Sequence, residues 1–139
     1  PRPEIDLLAF NQKKNHVCAL EAKSYLDSPG VKFPELQEEY EIPTGRYKLF
    51  TCKNYRCIVL NRLKSDLIEA NMADTETTIS LGLVAGNVYQ NRNDEIRAFF
   101  DTQGWMFWSP ENVRDKVNAL AEKGYENEPA IITAKILMR

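Results

Sequence analysis

The run His16-Val17-Cys18-Ala19-Leu20-Glu21-Ala22-Lys23-Ser24 constrains this chain more than any other stretch, because an apolar strand ends there in a carboxylate and an ammonium two residues apart. Two residues is the period of a strand, so Glu21 and Lys23 leave the sheet from one face. The residues ahead of them are apolar enough for an interior strand, where charge is costly unless something pairs with it.

A second apolar run, Glu4-Ile5-Asp6-Leu7-Leu8-Ala9-Phe10, precedes this one, and the polar residues Asn11 to Asn15 between the two read as a turn. The pair is a predicted antiparallel hairpin. With its turn centred near Lys13 and Lys14, Asp6 falls opposite Glu21 and Glu4 opposite Lys23. Cross-strand neighbours on one face have Cβ atoms roughly 4.5–5.5 Å apart. Two carboxylates at that distance raise one another's pKa unless a cation lies between them. A hard divalent cation with open positions for water and phosphate suits carboxylate oxygens, and a neighbouring ammonium supplies charge where a phosphoryl oxygen becomes more negative. The same residues also fit a solvated strand end, with Glu4 and Lys23 forming a cross-strand ion pair worth a few tenths of a kcal/mol.

Glu4-Ile5-Asp6, a hairpin and then Glu21-Ala22-Lys23 resemble the PD-(D/E)xK nuclease superfamily, the restriction-endonuclease-like fold, over about the first quarter of the chain. Asp6 falls on the motif aspartate, Glu21 on the second acid and Lys23 on the lysine. The resemblance implies that Asp6, Glu21 and Lys23 are catalytic and that Asp6 and Glu21 bind Mg²⁺ or Mn²⁺. Glu4 is an additional candidate ligand. Gln37 is another candidate, since some members carry a glutamine on the helix after the lysine strand. The implied function is a divalent-metal-dependent nuclease, a restriction or defence endonuclease domain with DNA as substrate. The alternative is a non-catalytic module of the same fold that binds nucleic acid or assists assembly in a larger protein. If the hairpin register were different, an α/β domain with no nucleic-acid role would remain. The sequence departs from the family pattern at two points: no proline directly precedes Asp6, and the given residues start at Pro1-Arg2-Pro3, whereas the family's fold normally opens with a helix. The second departure gives the expectation of a fragment; the expected partners are nucleic acid and either a larger parent protein or a second copy in a homodimer, with no membrane.

Composition excludes several alternatives. The chain has 139 residues, 43% hydrophobic and 27% charged, which is ordinary for one globular domain. A formal net charge of −2 gives no general attraction to polyanions, so nucleic-acid contacts must come from local clusters. The best cluster is Arg46, Lys48, Lys53 and Arg56, continuing to Arg62 and Lys64. No apolar stretch approaches the roughly 20 residues that span a bilayer, and no signal-peptide pattern opens the sequence, so the expected location is cytoplasmic. Cys18, Cys52 and Cys57 lack the paired spacing of a zinc site, and Cys18 reads as a core residue. The single histidine, His16, sits at the edge of the hairpin turn as a strand-end residue, so Ser-His or Cys-His nucleophilic chemistry has little to work with.

The remaining pattern predicts a mixed α/β fold, with a central mixed sheet built on the hairpin and flanked by helices. Residues 1–90 form the motif-bearing core of a single 139-residue domain, and residues 91–139 form a mainly helical part packed on it. Leu26 to Gly30 is a turn and 33–40 a short helix. Residues 45–51 fit either a strand or the lead-in to a helix. Tyr55, Ile58, Val59, Leu63, Leu67 and Ile68 recur at helical spacing, with Thr51 near the cap. Ile79, Leu81, Leu83 and Ala85 alternate as a strand, with Gly82 and Gly86 marking a close approach by a helix or another backbone on the opposite face. An amphipathic helix from Ile96 ends near Gly104, and Trp105 to Trp108 form an apolar extended segment. Ser109-Pro110-Glu111 opens a helix that buries Val113, Val117, Leu120 and Ala121 and ends at Gly124. The last element, over 130–138, reads as a helix, although Ile131, Ile132 and Ile136 also suit a strand.

Overall fold

The computed structural model describes residues 5–25 and 27–122. Strand β1 (Leu7–Asn11) turns into β2 (His16–Lys23) through the predicted polar loop. Asn11 Oδ1 accepts the Lys14 N–H at 3.2 Å. Asn15 takes a left-handed conformation, φ 48°, which asparagine tolerates better than most residues. The loop fixes the register, pairing Asn11 with His16 and Leu7 with Leu20.

From β2 the chain crosses over through α1 (Phe33–Leu36), α2 (Lys48–Thr51) and α3 (Lys53–Glu69) to β3 (Thr78–Ala85). It then runs through a 3₁₀ turn (Tyr89–Asn91) and α4 (Asn93–Gln103) to β4 (Met106–Trp108), and on to α5 (Pro110–Glu122). The result is a four-stranded mixed sheet in the order β1-β2-β3-β4, antiparallel in the hairpin and parallel from β2 to β4. Parallel neighbours require long crossovers, and the helices of those crossovers cover the sheet.

Register determines what the helices bury. Ala19 pairs with Leu81, Glu21 with Leu83, Lys23 with Ala85 and Leu83 with Phe107, so these side chains share one face. Leu81, Leu83, Ala85 and Phe107 pack there against Leu36, Phe50, Val59, Ile96 and Phe100. Aromatic edges interlock at its centre. The Phe100 ring stacks on Phe50 at 5.2 Å and meets the Trp105 ring edge-on at 5.4 Å. On the opposite face, Nδ1 of His16 lies 2.6 Å from Thr78 Oγ1 and Nε2 lies 2.8 Å from Ser80 Oγ, which ties the start of β2 to β3. Cys18 is buried, as expected.

Several expectations need correction. The helix predicted over 33–40 stops at Leu36, and the Tyr40 N–H is bonded instead to the Thr51 carbonyl at 2.8 Å, which draws the chain away from helical geometry. Thr51 does adjoin the start of α3, whose cap is Cys52. Thr51 itself lies inside α2, and its hydroxyl donates back to the Tyr47 carbonyl at 3.0 Å. On α3 the buried positions are Val59 and Leu67, one i,i+4 row, while Ile58 lies about 100° around the axis from Val59 and is 68% exposed. Another backbone does approach closely at Gly86, just after β3, where Ser24 lies against it, but the neighbours of Gly82 are Leu20 and Met106 on the flanking strands and not a helix above the sheet. Gly104 ends α4 in the left-handed conformation, φ 72°. At α5, Ser109 Oγ accepts the Asn112 N–H at 3.2 Å and Asn112 Oδ1 accepts the Ser109 N–H at 3.1 Å, a reciprocal cap. Val113, Val117, Leu120 and Ala121 are only half-buried. Gly124 and the predicted helix over 130–138 lie outside the described residues, as does Glu4. Among the described residues, no helix is long and apolar enough to cross a membrane.

Candidate active site

Val17 and Ala19 occupy the helix-covered face of β2 and are 2% and 0% exposed, so the next two side chains on that face, Glu21 and Lys23, emerge where the core gives out. They stand at the carboxyl end of β2, which is where open α/β sheets commonly present a ligand site. Asp6 continues the Leu7–Leu20 pairing by one step and comes opposite Glu21. Its Oδ2 accepts the N–H of Ala22, the residue between Glu21 and Lys23, at 2.8 Å. That bond anchors Asp6 to β2 just beyond the paired end of the hairpin. Its second oxygen takes no hydrogen bond among the described residues.

Lys23 Nζ lies 3.5 Å from Glu21 Oε2, and both side chains are largely covered, at 22% and 16% exposure. Burial raises the Glu21 carboxyl above its ordinary value. The Asp6 charge pushes in the same direction, while Lys23 opposes both. The net upward shift means that one ammonium does not balance the two acids and their desolvation. The Lys23 ammonium also sits 5.9 Å from the centre of the Tyr47 ring. Tyr47 is buried, and its phenol is held well above the usual tyrosine range by that burial and by the adjoining Tyr25 hydroxyl. Tyr25 Oη is buried without a partner in hydrogen-bond geometry, and the Arg46 guanidinium lies 5.9 Å from the Tyr25 ring.

Two carboxylates with an open oxygen suit Mg²⁺, which keeps several waters and takes one or two protein carboxylates plus substrate phosphate. Among the described residues, no group of three His, Cys, Asp or Glu side chains could form a cage made wholly of protein. Two carboxylates with no nitrogen or sulfur ligand beside them are the donor chemistry of a hard cation and not that of a structural zinc site.

The other sequence candidates scatter. Gln37 is exposed at the C-terminal end of α1 and lines a separate cavity of about 560 Å³ that touches none of Asp6, Glu21 and Lys23. Arg56 is a structural residue in this geometry. Its Nη1 donates to the carbonyls of Leu49 at 3.1 Å and Phe50 at 3.2 Å, and its guanidinium stacks 4.9 Å from the Trp105 ring centre. Lys48 and Lys53 are exposed on α2 and α3. Arg62 pairs with Asp66 at 3.1 Å, and Lys64 donates to the Thr75 carbonyl at 2.9 Å. Of the basic cluster, Arg46 alone adjoins the candidate site, through Tyr25.

Sequence reasoning singled out neither Tyr47 nor Tyr25. Tyr47 and Tyr25 come next to Lys23 and Arg46 only through the fold, and no local spacing marks them. No protein-family model, curated protein or solved structure matches this chain.

Proposed function

We propose that this chain is a divalent-metal-dependent nuclease domain of the restriction-endonuclease-like type, acting on a phosphodiester, with DNA as its expected substrate. The observation that carries the reading is the Asp6 carboxylate bonded to the Ala22 N–H, between Glu21 and Lys23. Asp6, fifteen residues ahead of Glu21, joins Glu21 and Lys23 at one strand end. The order of elements after the lysine strand supports it as well, since a helical crossover leads to a parallel strand beside β2.

In this reading Asp6 and Glu21 hold Mg²⁺ or Mn²⁺, which when bound lowers the pKa of a coordinated water and neutralises phosphate charge. Glu21 must be ionised to serve, and a bound cation would offset the burial and the Asp6 charge that raise its pKa. Lys23 would release Glu21 on metal entry and turn its ammonium to the phosphoryl oxygen, where charge builds as water attacks and the ester oxygen leaves. The Tyr47 ring, whose centre lies 5.9 Å from the Lys23 ammonium, would add a cation–π attraction that helps to hold it.

The test is nicking of supercoiled plasmid in Mg²⁺ or Mn²⁺ by wild type, Lys23→Ala and Glu21→Gln. Cleavage by wild type that falls at least about 100-fold in both variants supports the proposal. Cleavage unchanged by Lys23→Ala removes the catalytic assignment. Metal binding without cleavage would favour the non-catalytic module.

A further inference from the structure

Beside the candidate site lies a cavity of about 630 Å³, with walls that include Ser28, Lys32, Tyr40, Arg46 and Tyr47. Tyr47 is the shared partition, since its ring lines the cavity and also carries the Lys23 ammonium at 5.9 Å.

The walls are held in place. A Cβ on Gly30, φ 104°, would lie 2.8 Å from the Asn87 carbonyl carbon, so this loop packs directly on the segment after β3. Val31 N–H donates to the Asn87 carbonyl at 2.9 Å, and the Asn87 side chain donates back to the Ser28 carbonyl at 3.0 Å. On the far side the Tyr40 N–H is tied to the Thr51 carbonyl at 2.8 Å.

Two cations face this space. Lys32 lies 5.4 Å from the Tyr89 ring centre and Arg46 lies 5.9 Å from that of Tyr25. Among the described residues neither is ion-paired to a carboxylate, although Glu35 also lines the cavity. Cations resting on aromatic rings with their charge unneutralised suit an anion. Tyr40, 40% exposed, offers a ring to a flat partner.

We propose that this cavity takes one nucleotide of an unpaired strand, with Lys32 and Arg46 on its phosphate and Tyr40 against its base, next to the phosphate held at Asp6, Glu21 and Lys23. The volume is that of a small-ligand site, roughly 300–1,000 Å³. It admits a nucleotide but not a base-paired duplex, so the preferred substrate is single-stranded or frayed nucleic acid. Placement beside a scissile phosphate rests on the nuclease reading; the binding chemistry does not.

The experiment is fluorescence anisotropy of a short labelled DNA strand with wild-type protein in EDTA, so that nothing is cut, against the blunt duplex of the same sequence. Wild type should prefer the single strand at least about tenfold. Lys32→Ala combined with Arg46→Ala should weaken single-strand binding about tenfold or more and reduce the salt slope by about 0.7, the value for one neutralised phosphate on a single strand, since both cations serve the same phosphate. Tyr40→Ala should cost about tenfold by loss of stacking. Neither variant should change the melting temperature appreciably, because these side chains are exposed or half-buried. Thymidine monophosphate should compete only at concentrations far above the strand's. Equal affinity and slope in the double variant, equal or tighter duplex binding, or monophosphate competing as well as the strand would each overturn the proposal. Plasmid nicking by wild type alongside an unaffected double variant would sink the cavity and leave the nuclease reading standing. Strand binding lost in the double variant with no cleavage by wild type would do the reverse.

Discussion

Gly86→Ala is the substitution that couples the fold to the candidate site. Gly86 is not among the residues with positive φ, so alanine meets no backbone penalty there and the effect is steric. An added Cβ would lie 3.1 Å from both Cα and C of Ser24 and closer still to its carbonyl oxygen. The obstacle is backbone, which cannot rotate away. Restoring ordinary contact needs roughly 1 Å of extra separation in a close-packed interior. That opening breaks the hydrogen bond from the Gly86 N–H to the Lys23 carbonyl, now 2.8 Å. Overpacking costs about 1–3 kcal/mol and the lost bond about 1 kcal/mol more, so the expected destabilisation is about 2–4 kcal/mol. Urea denaturation followed by tryptophan fluorescence measures it, and Gly45→Ala is the control. Gly45 has φ 75° but nothing within 4 Å of its would-be Cβ, so only the left-handed backbone penalty of about 1 kcal/mol applies. Because the broken bond anchors the Lys23 carbonyl, Gly86→Ala should also impair metal-dependent cleavage in the fraction that remains folded, whereas Gly45→Ala should not. A Gly86→Ala protein as stable as wild type would refute the reasoning.

Three other outcomes are expected. Arg56→Ala should destabilise the fold by about 2–3 kcal/mol in thermal or chemical melts, through loss of two carbonyl bonds and the Trp105 stack, while leaving the salt dependence of strand binding unchanged. The raised pKa of Glu21 means that the folded protein holds this proton more tightly than the unfolded chain does. Its contribution to metal-free stability is therefore present below the ordinary glutamate value and lost as pH rises through the raised one; Glu21→Gln should flatten that limb of the pH–stability curve. Mg²⁺ affinity measured by calorimetry should rise over the same window, with proton release on binding. Ser109→Ala should cost about 1 kcal/mol by removing the cap of α5, read as a lower melting temperature with cleavage unaltered.

The parts of this molecule that could be read from its letters are those governed by local periodicity. The polar run from Asn11 to Asn15 sets the turn, and once the turn is placed, arithmetic brings Asp6 opposite Glu21. Alternation gives β3, and the serine, proline and acid at 109–111 give the start of α5. What could not be read depends on partners distant in sequence. Helix α1 is short because Tyr40 prefers Thr51, eleven residues ahead, to its own helical acceptor. Ile58 fits the apolar spacing of α3 yet faces outward, because Val59 and Leu67 decide which row the core accepts. Arg56 looked like a phosphate ligand from composition, and the Trp105 ring and two helix-end carbonyls claim it instead. Tyr47 and Lys32 carry no signature in their own neighbourhoods; only the crossover from β2 to β3 brings Tyr47 under Lys23.

The most direct measurement is a crystal of the protein soaked in Mn²⁺ and read by anomalous scattering, with Asp6→Asn as the comparison. Asp6→Asn keeps an oxygen for the Ala22 N–H but loses the charge. The account predicts an anomalous peak between the Asp6 and Glu21 carboxylates in wild type, with oxygen distances near 2.1–2.2 Å, and none in Asp6→Asn. A metal-free site in a crystal at millimolar Mn²⁺, with Lys23 still paired to Glu21, would contradict it.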